Sequence, residues 1–167
     1  MTSLKNELVG TWKLLSYIEV PIGGDDSLFP MGKTPYGLLM YSTDGYMSVQ
    51  ISKDDRLPYK SNDKLMATPE EMASAVNGYI AFCGKFKVDN STATVSYVIK
   101  SSLFPNWKNQ VQKRKIDFEG DILYLKSTKP ILSDGKYVNS YMTWQRTGRS
   151  TDNELLGDKL LKEMSLL

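Results

Sequence analysis

The sequence predicts a mainly-β protein: an antiparallel barrel of about eight or more strands, with one early helix and a C-terminal helix. Three observations predict it. Alternating runs rich in β-branched and aromatic residues recur along the chain at hairpin spacing. Asp44-Gly45 lies between two apolar runs, the strongest short-range hairpin signal. Only two stretches, within 68–86 and 151–167, combine a capping signature with helical periodicity. Closing that many antiparallel strands into a barrel removes the unpaired edges that an open sheet would leave.

Taken in order, GTWKLLSYIEV (10–20) reads as a first long strand, and the Gly- and Pro-rich PIGGDDSLFPMGKTP (21–35) as a loop. YGLLMYS (36–42) and GYMSVQIS (45–52) form the hairpin around Thr43-Asp44-Gly45. KDDRLPYKSND (53–63) is a polar connection. Thr68 then caps a helix, with Pro69 at its first position and Glu71 completing a capping box. Met72, Ala75, Val76 and Tyr79 share one face of it. From Tyr79 to Val88 the pattern turns to a strand, with Gly78 or Gly84 as switch or bulge. ATVSYVIKSS (93–102), WKNQVQKRKIDFEG (107–120), ILYLKST (122–128) and YVNSYMTWQR (137–146) complete the strands, separated by turns at Glu119-Gly120-Asp121 and SDGK. In the tail, Thr151 and Glu154 make a second capping box before a stripe of Leu155, Leu156, Leu160, Met164 and Leu167. The expected organisation is a barrel over 1–149 and a helix over 150–167 docked outside it, with a lid or a homodimer contact as the alternative for the helix.

Composition narrows the functions. Of 167 residues, 41% are apolar and 24% charged, as in a folded soluble domain, and the net charge is +2 with both signs interspersed. Neither nucleic acid nor a membrane surface is an expected partner. No apolar run approaches the length of a membrane span, and MTSLKNELVG has no secretory pattern. A single cysteine, Cys83, excludes an internal disulfide and suits a reducing, cytoplasmic location; it reads as a small buried hydrophobe. The chain has no histidine, which removes His-based nucleophile pairs and His-ligated metals. No metal and no cofactor is expected, and proton chemistry would fall to Tyr, Asp, Glu or Lys.

Several segments resemble a known family. Gly10-Thr11-Trp12 opens the first strand, and Trp144-Gln145-Arg146 closes the last. Between them come PYGLLMYSTDGYMSVQ, TPEEMASAVNGYIAFCGKF, SSLFPNW and Gln112-x-Arg114. This order resembles a family of small, mostly bacterial and fungal lipocalin-like domains, from about Leu8 to Arg146. The resemblance implies a lipocalin-like barrel in which Gly10, Trp12, Trp144 and Arg146 plug one end, the guanidinium stacking on the indole. Relatives often carry a histidine just before the SLFPNW segment; here Tyr97 stands near that position, so any chemistry of that histidine is missing or falls to Tyr97. The residues after Arg146 extend past the usual family end.

The strand before Gly120 sets the functional question. Ile116 and Phe118 share parity with Arg114, Gln112 and Gln110, so the apolar face also carries a guanidinium and two amides. A buried guanidinium needs an acceptor. That acceptor is either an internal network with Glu19 or Asp117, or a ligand in the barrel. By parity Tyr97 and Met142 also point inward. The break at Phe104-Pro105-Asn106-Trp107 marks a corner or barrel mouth, placing Phe104 and Trp107 near the opening. Tyr41, Met47 and Tyr79 are further candidate lining residues. Two functions follow. One is a protein that binds a small hydrophobic molecule, oriented by Arg114, Gln112 and Tyr97. The other is a cofactor-free isomerase or cyclase acting on a natural-product intermediate, with Tyr97, Tyr41 or Arg114 as donor to a carbonyl.

Overall fold

The computed structural model describes residues 3–148 and, in the tail, Leu161, Lys162 and Met164. Among the described residues nine strands form one antiparallel sheet: β1 (Gly10–Pro21), β2 (Tyr36–Tyr41), β3 (Tyr46–Ser52), β4 (Tyr79–Asp89), β5 (Thr94–Ser102), β6 (Val111–Glu119), β7 (Ile122–Ser127), β8 (Ile131–Ser133) and β9 (Lys136–Arg146). Each strand from β1 to β7 pairs with the next, β7 pairs with β9, and β9 pairs back onto β1. The result is an eight-stranded closed barrel, with the short β8 added at one rim of β9. Two helices flank it, α1 (Leu4–Leu8) and α2 (Pro69–Asn77).

The predicted strands are present, with two refinements. The strand expected from Trp107 starts only at Val111, because Pro105–Trp107 forms a single 3-10 turn. The three-residue β8 and the five-residue α1 are too short to show a period in the sequence. α2 has the expected capping box between Thr68 and Glu71. Its apolar stripe does not bury, however: Met72 and Val76 are both exposed, and Glu71 is the buried residue of that helix. The C-terminal helix expected over 150–167 lies almost entirely outside the described residues. Leu161, Lys162 and Met164 are helical and exposed.

The closed end is built as the motif implies. Trp12 and Trp144 are fully buried. Arg146 stacks on the Trp12 ring, with its guanidinium carbon 4.2 Å from the centroid. It donates to the carbonyls of Val9, at 3.1 Å, and Glu7. The Trp12 indole N–H donates to Leu8 O at 2.8 Å. These contacts satisfy orphan carbonyls at the end of α1 and seat that helix across the barrel end. Gly10 is required there: its φ is +138°, and a Cβ would lie 2.8 Å from an Arg146 nitrogen that is already held by hydrogen bonds.

Two irregularities decide what faces inward. On β1 the register against β9 shifts between Leu14 and Ser16. Trp12 and Leu14 point inward before the shift, Tyr17 and Glu19 after it. On β4 the register against β5 shifts between Cys83 and Gly84, where the backbones approach so closely that a Cβ on Gly84 would lie 1.9 Å from Val98 O.

Replacing Arg146 by Met keeps the side-chain bulk but removes the cation and its two bonds to carbonyls. The unfolding free energy is expected to fall by about 2–4 kcal/mol in urea titrations. A loss within ~0.5 kcal/mol would mean that Trp12 alone seals that end.

Candidate ligand cavity

The end of the barrel opposite the plug opens into a cavity of about 720 Å³. Its apolar wall includes Ile80, Phe82, Phe104, Trp107 and Met142, and its polar wall includes Tyr17, Glu19, Gln112 and Arg114. Deeper in lies a small apolar chamber bounded by Met47, Tyr97, Leu125 and Trp144. Arg114 and Met142 belong to both spaces, so the guanidinium stands where the mouth meets the interior.

Aromatic rings run from the mouth inward. Phe104 meets Trp107 edge-on at 5.5 Å, and Trp107 meets Phe82 at 5.6 Å and 89°. Phe82 lies 6.1 Å from Tyr97, and Tyr97 stacks on Tyr41 at 6.2 Å. The 3-10 turn places Trp107 here. Asn109 N donates to Ile99 O at 2.8 Å and Ile99 N to Gln110 O at 3.0 Å, tying the turn to β5. Gln110, expected on the strand face, sits in this turn and reaches the cavity rim.

β6 has the predicted parity: Gln112, Arg114, Ile116 and Phe118 face in. Arg114 donates to Gln112 Oε1 at 3.0 Å and to its neighbour's carbonyl, Lys113 O, at 3.0 Å. Asp117 is not its acceptor, because it is exposed on the outer face. Glu19 is inside and almost wholly buried, yet it does not pair with Arg114 within 4.0 Å; it accepts from the Tyr17 hydroxyl at 2.5 Å. The guanidinium therefore keeps donors directed at the cavity.

Tyr41 and Tyr97 join by their hydroxyls beneath it, and both are buried. Burial, the Tyr97 oxygen and their shared hydrogen bond push Tyr41 well above the usual tyrosine range, against the opposing pull of Arg114. Tyr97 is pushed up to about 12 by burial, against the pull of the Tyr41 bond and Arg114. Burial and then Glu19 likewise raise Tyr17. All three remain neutral hydroxyls near neutral pH: they can donate and accept hydrogen bonds but do not act as tyrosinate bases.

Of the other candidates, Met47 is buried against the inner chamber and Phe104 stands half-exposed at the mouth. Tyr79 is a correction. It lies on the outside of the barrel, bonded to Gln50 and stacked under Arg56 at 4.6 Å, because β4 continues directly from Gly78 with Ile80 and Phe82 taking the inner positions. No residue between 53 and 78 contributes to the cavity wall. The sequence pattern missed Tyr17, since unbroken alternation from Trp12 would turn it outward.

The chain matches the lipocalin-like domain over residues 9–147. It belongs to the lipocalin-like domain family. Within reach of the family is the 4′-hydroxy-3′-methoxypropiophenone carrier protein ppsC of Aspergillus oryzae, 32% identical over 111 residues, which span 63% of this chain and all of that protein. A looser likeness is to the siderocalin Ex-FABP, at 13% identity and a TM-score of 0.32 over 95% of this chain and 83% of that one. No helix among the described residues is long and apolar enough to cross a membrane.

The raised tyrosines give a pH dependence. The folded chain holds these protons to higher pH than the unfolded chain, whose tyrosines titrate near ~10. Their contribution is complete below about pH 10 and is lost as pH rises toward 12, by up to ~1.4 kcal/mol per pH unit for each tyrosine. Urea unfolding between about pH 8 and 11 is expected to show this decline in the wild type and a shallower one in a Tyr41→Phe, Tyr97→Phe double variant. Parallel curves would refute the assignment.

Proposed function

We propose that this lipocalin-like barrel is a carrier for a small, mostly apolar molecule that bears a carbonyl. The observation that carries the reading is Arg114, turned into a mouth cavity of about 720 Å³ with donors left over after Gln112 and Lys113. A carbonyl oxygen supplies the acceptor that the protein does not, while the Phe104–Trp107–Phe82 series takes a flat ring. The relative's name, a carrier of an aromatic ketone, describes such a molecule. The single cysteine supports a cytoplasmic setting. A cofactor-free isomerase or cyclase remains the second reading, favoured by the neutral Tyr97 hydroxyl at the inner chamber.

The test uses 4′-hydroxy-3′-methoxypropiophenone, the ketone in the relative's name, followed by native mass spectrometry and by quenching of Trp107 fluorescence. The wild type is expected to hold one ketone, and Arg114→Met to bind it at least ~10-fold more weakly. Release of the ketone unchanged supports a carrier; conversion that disappears in Tyr97→Phe would support the enzyme instead. Equal binding by wild type and Arg114→Met would remove Arg114 from the site.

A homodimer through the tail's leucine stripe is proposed alongside. Light scattering of the full chain and of a chain ending at residue 149 is expected to give a dimer and a monomer respectively. Two monomers would end that idea.

A further inference from the structure

Glu19 is a further charged side chain in the wall of the cavity that Arg114 lines. Its side chain is 2% exposed, and its Oε1 accepts from Tyr17 at 2.5 Å. Its Oε2 is also buried and has no hydrogen-bond partner among the described residues. The residue lines the mouth cavity. Across the β1–β9 ladder it is in register with Ser140. Ser140 is 1% exposed, and its Oγ also lacks a partner among the described residues. Ser140 lines neither space of the cavity, so the unmatched polar atom of the wall belongs to Glu19.

A buried carboxylate oxygen with no donor is costly, typically more than ~1–3 kcal/mol for a charged group. A carboxylate oxygen accepts and does not donate, so the group that matches Glu19 Oε2 is a donor. A neutral ligand supplies one as a hydroxyl, whose O–H donates to Oε2. A carbonyl or an ether oxygen cannot, and leaves the carboxylate unmatched.

The charges argue for a neutral group. Arg114 already supplies a cation to the cavity that Glu19 lines, so the two side chains balance without a charged ligand. An ammonium at Glu19 would leave Arg114 as an uncompensated cation in the cavity wall, and a carboxylate at Arg114 would leave Glu19 as an uncompensated buried anion.

We infer that the cavity selects a neutral ligand with a free hydroxyl, which donates to Glu19, in addition to the acceptor that Arg114 receives. This deepens and rests on the carrier reading above. It makes Glu19 a determinant of specificity and leaves Arg114 and the aromatic series as the source of general affinity.

The test compares three ketones on the intact protein: 4′-hydroxy-3′-methoxypropiophenone, its 4′-O-methyl ether and its 4′-deoxy analogue. The deoxy probe is smaller and the ether larger than the phenol, so a preference over both is not steric. Wild type is expected to bind the phenol about 10–100-fold more tightly than either, the worth of a hydrogen bond to a charged group. Glu19→Leu is expected to bind all three within about 3-fold of one another. Tyr17→Phe leaves Oε2 in place and is expected to keep the preference. Binding of the deoxy ketone by Glu19→Leu reports that the barrel is folded. If that variant does not fold, Glu19→Gln, which keeps the shape and replaces the charged acceptor by a neutral one, carries the test, with a smaller expected fall in the preference. A wild type that binds all three ketones equally overturns the hydroxyl subsite while leaving the carrier reading standing; Glu19 Oε2 is then served by water. An undiminished preference in Glu19→Leu, or in Glu19→Gln where that variant carries the test, also overturns it. A wild type that binds none of the three overturns the carrier reading and the subsite with it.

Discussion

The contact between Arg146 and Trp12 is the constraint on which the rest of the barrel depends. The guanidinium lies 4.2 Å from the indole centroid and at the same time holds the last carbonyls before β1. It therefore joins the first strand, the last strand and α1 in a single contact. A sheet of eight strands could remain open; the β1–β9 ladder from Trp12–Arg146 to Pro21–Val138 closes it. With that end sealed by two buried indoles, a ligand has the opposite end to enter by. The mouth is where β6 begins, where the Phe104–Trp107 turn sits, and where the polar wall is found.

That polar wall opposes the usual logic of a core. A barrel of this size can fill its interior with side chains, and the plugged end does so with Trp12 and Trp144. The mouth cavity instead has Arg114, Glu19, Gln112 and Tyr17 in its wall, and Tyr97 borders the inner chamber. Some of their polar atoms satisfy each other: Tyr17 with Glu19, Tyr41 with Tyr97, Arg114 with Gln112. The atoms left over are of opposite character and belong to two residues, Arg114 and Glu19, that line the same cavity. Apolar substitutes at those positions would fold more favourably by desolvation alone, so their presence is better explained by recognition than by stability.

How much of this the sequence displayed depends on the range of the signal. Alternation on β6 runs unbroken from Gln112 to Phe118, so the inward turn of Arg114 was readable from parity. Asp44-Gly45 and the capping box at Thr68 act within a few residues and appear where expected. Met72 and Val76 show the limit of a periodicity: a stripe says that one face is apolar, not that anything packs against it, and both are exposed. Tyr79 fails for a related reason, since its parity follows from where β4 starts after Gly78.

By itself, then, the chain determined an antiparallel barrel, its turns, its plug residues and the inward arginine, because each depends on local pattern or on a short motif. Only the tertiary structure decided that Glu19 and Tyr17 share the cavity with that arginine. The one-residue bulge between Leu14 and Ser16 inverts the alternation of β1, and nothing within β1 announces it. A bulge forms where two strands must twist and stay paired, so its place is set by the partner strand β9, more than a hundred residues away in the chain.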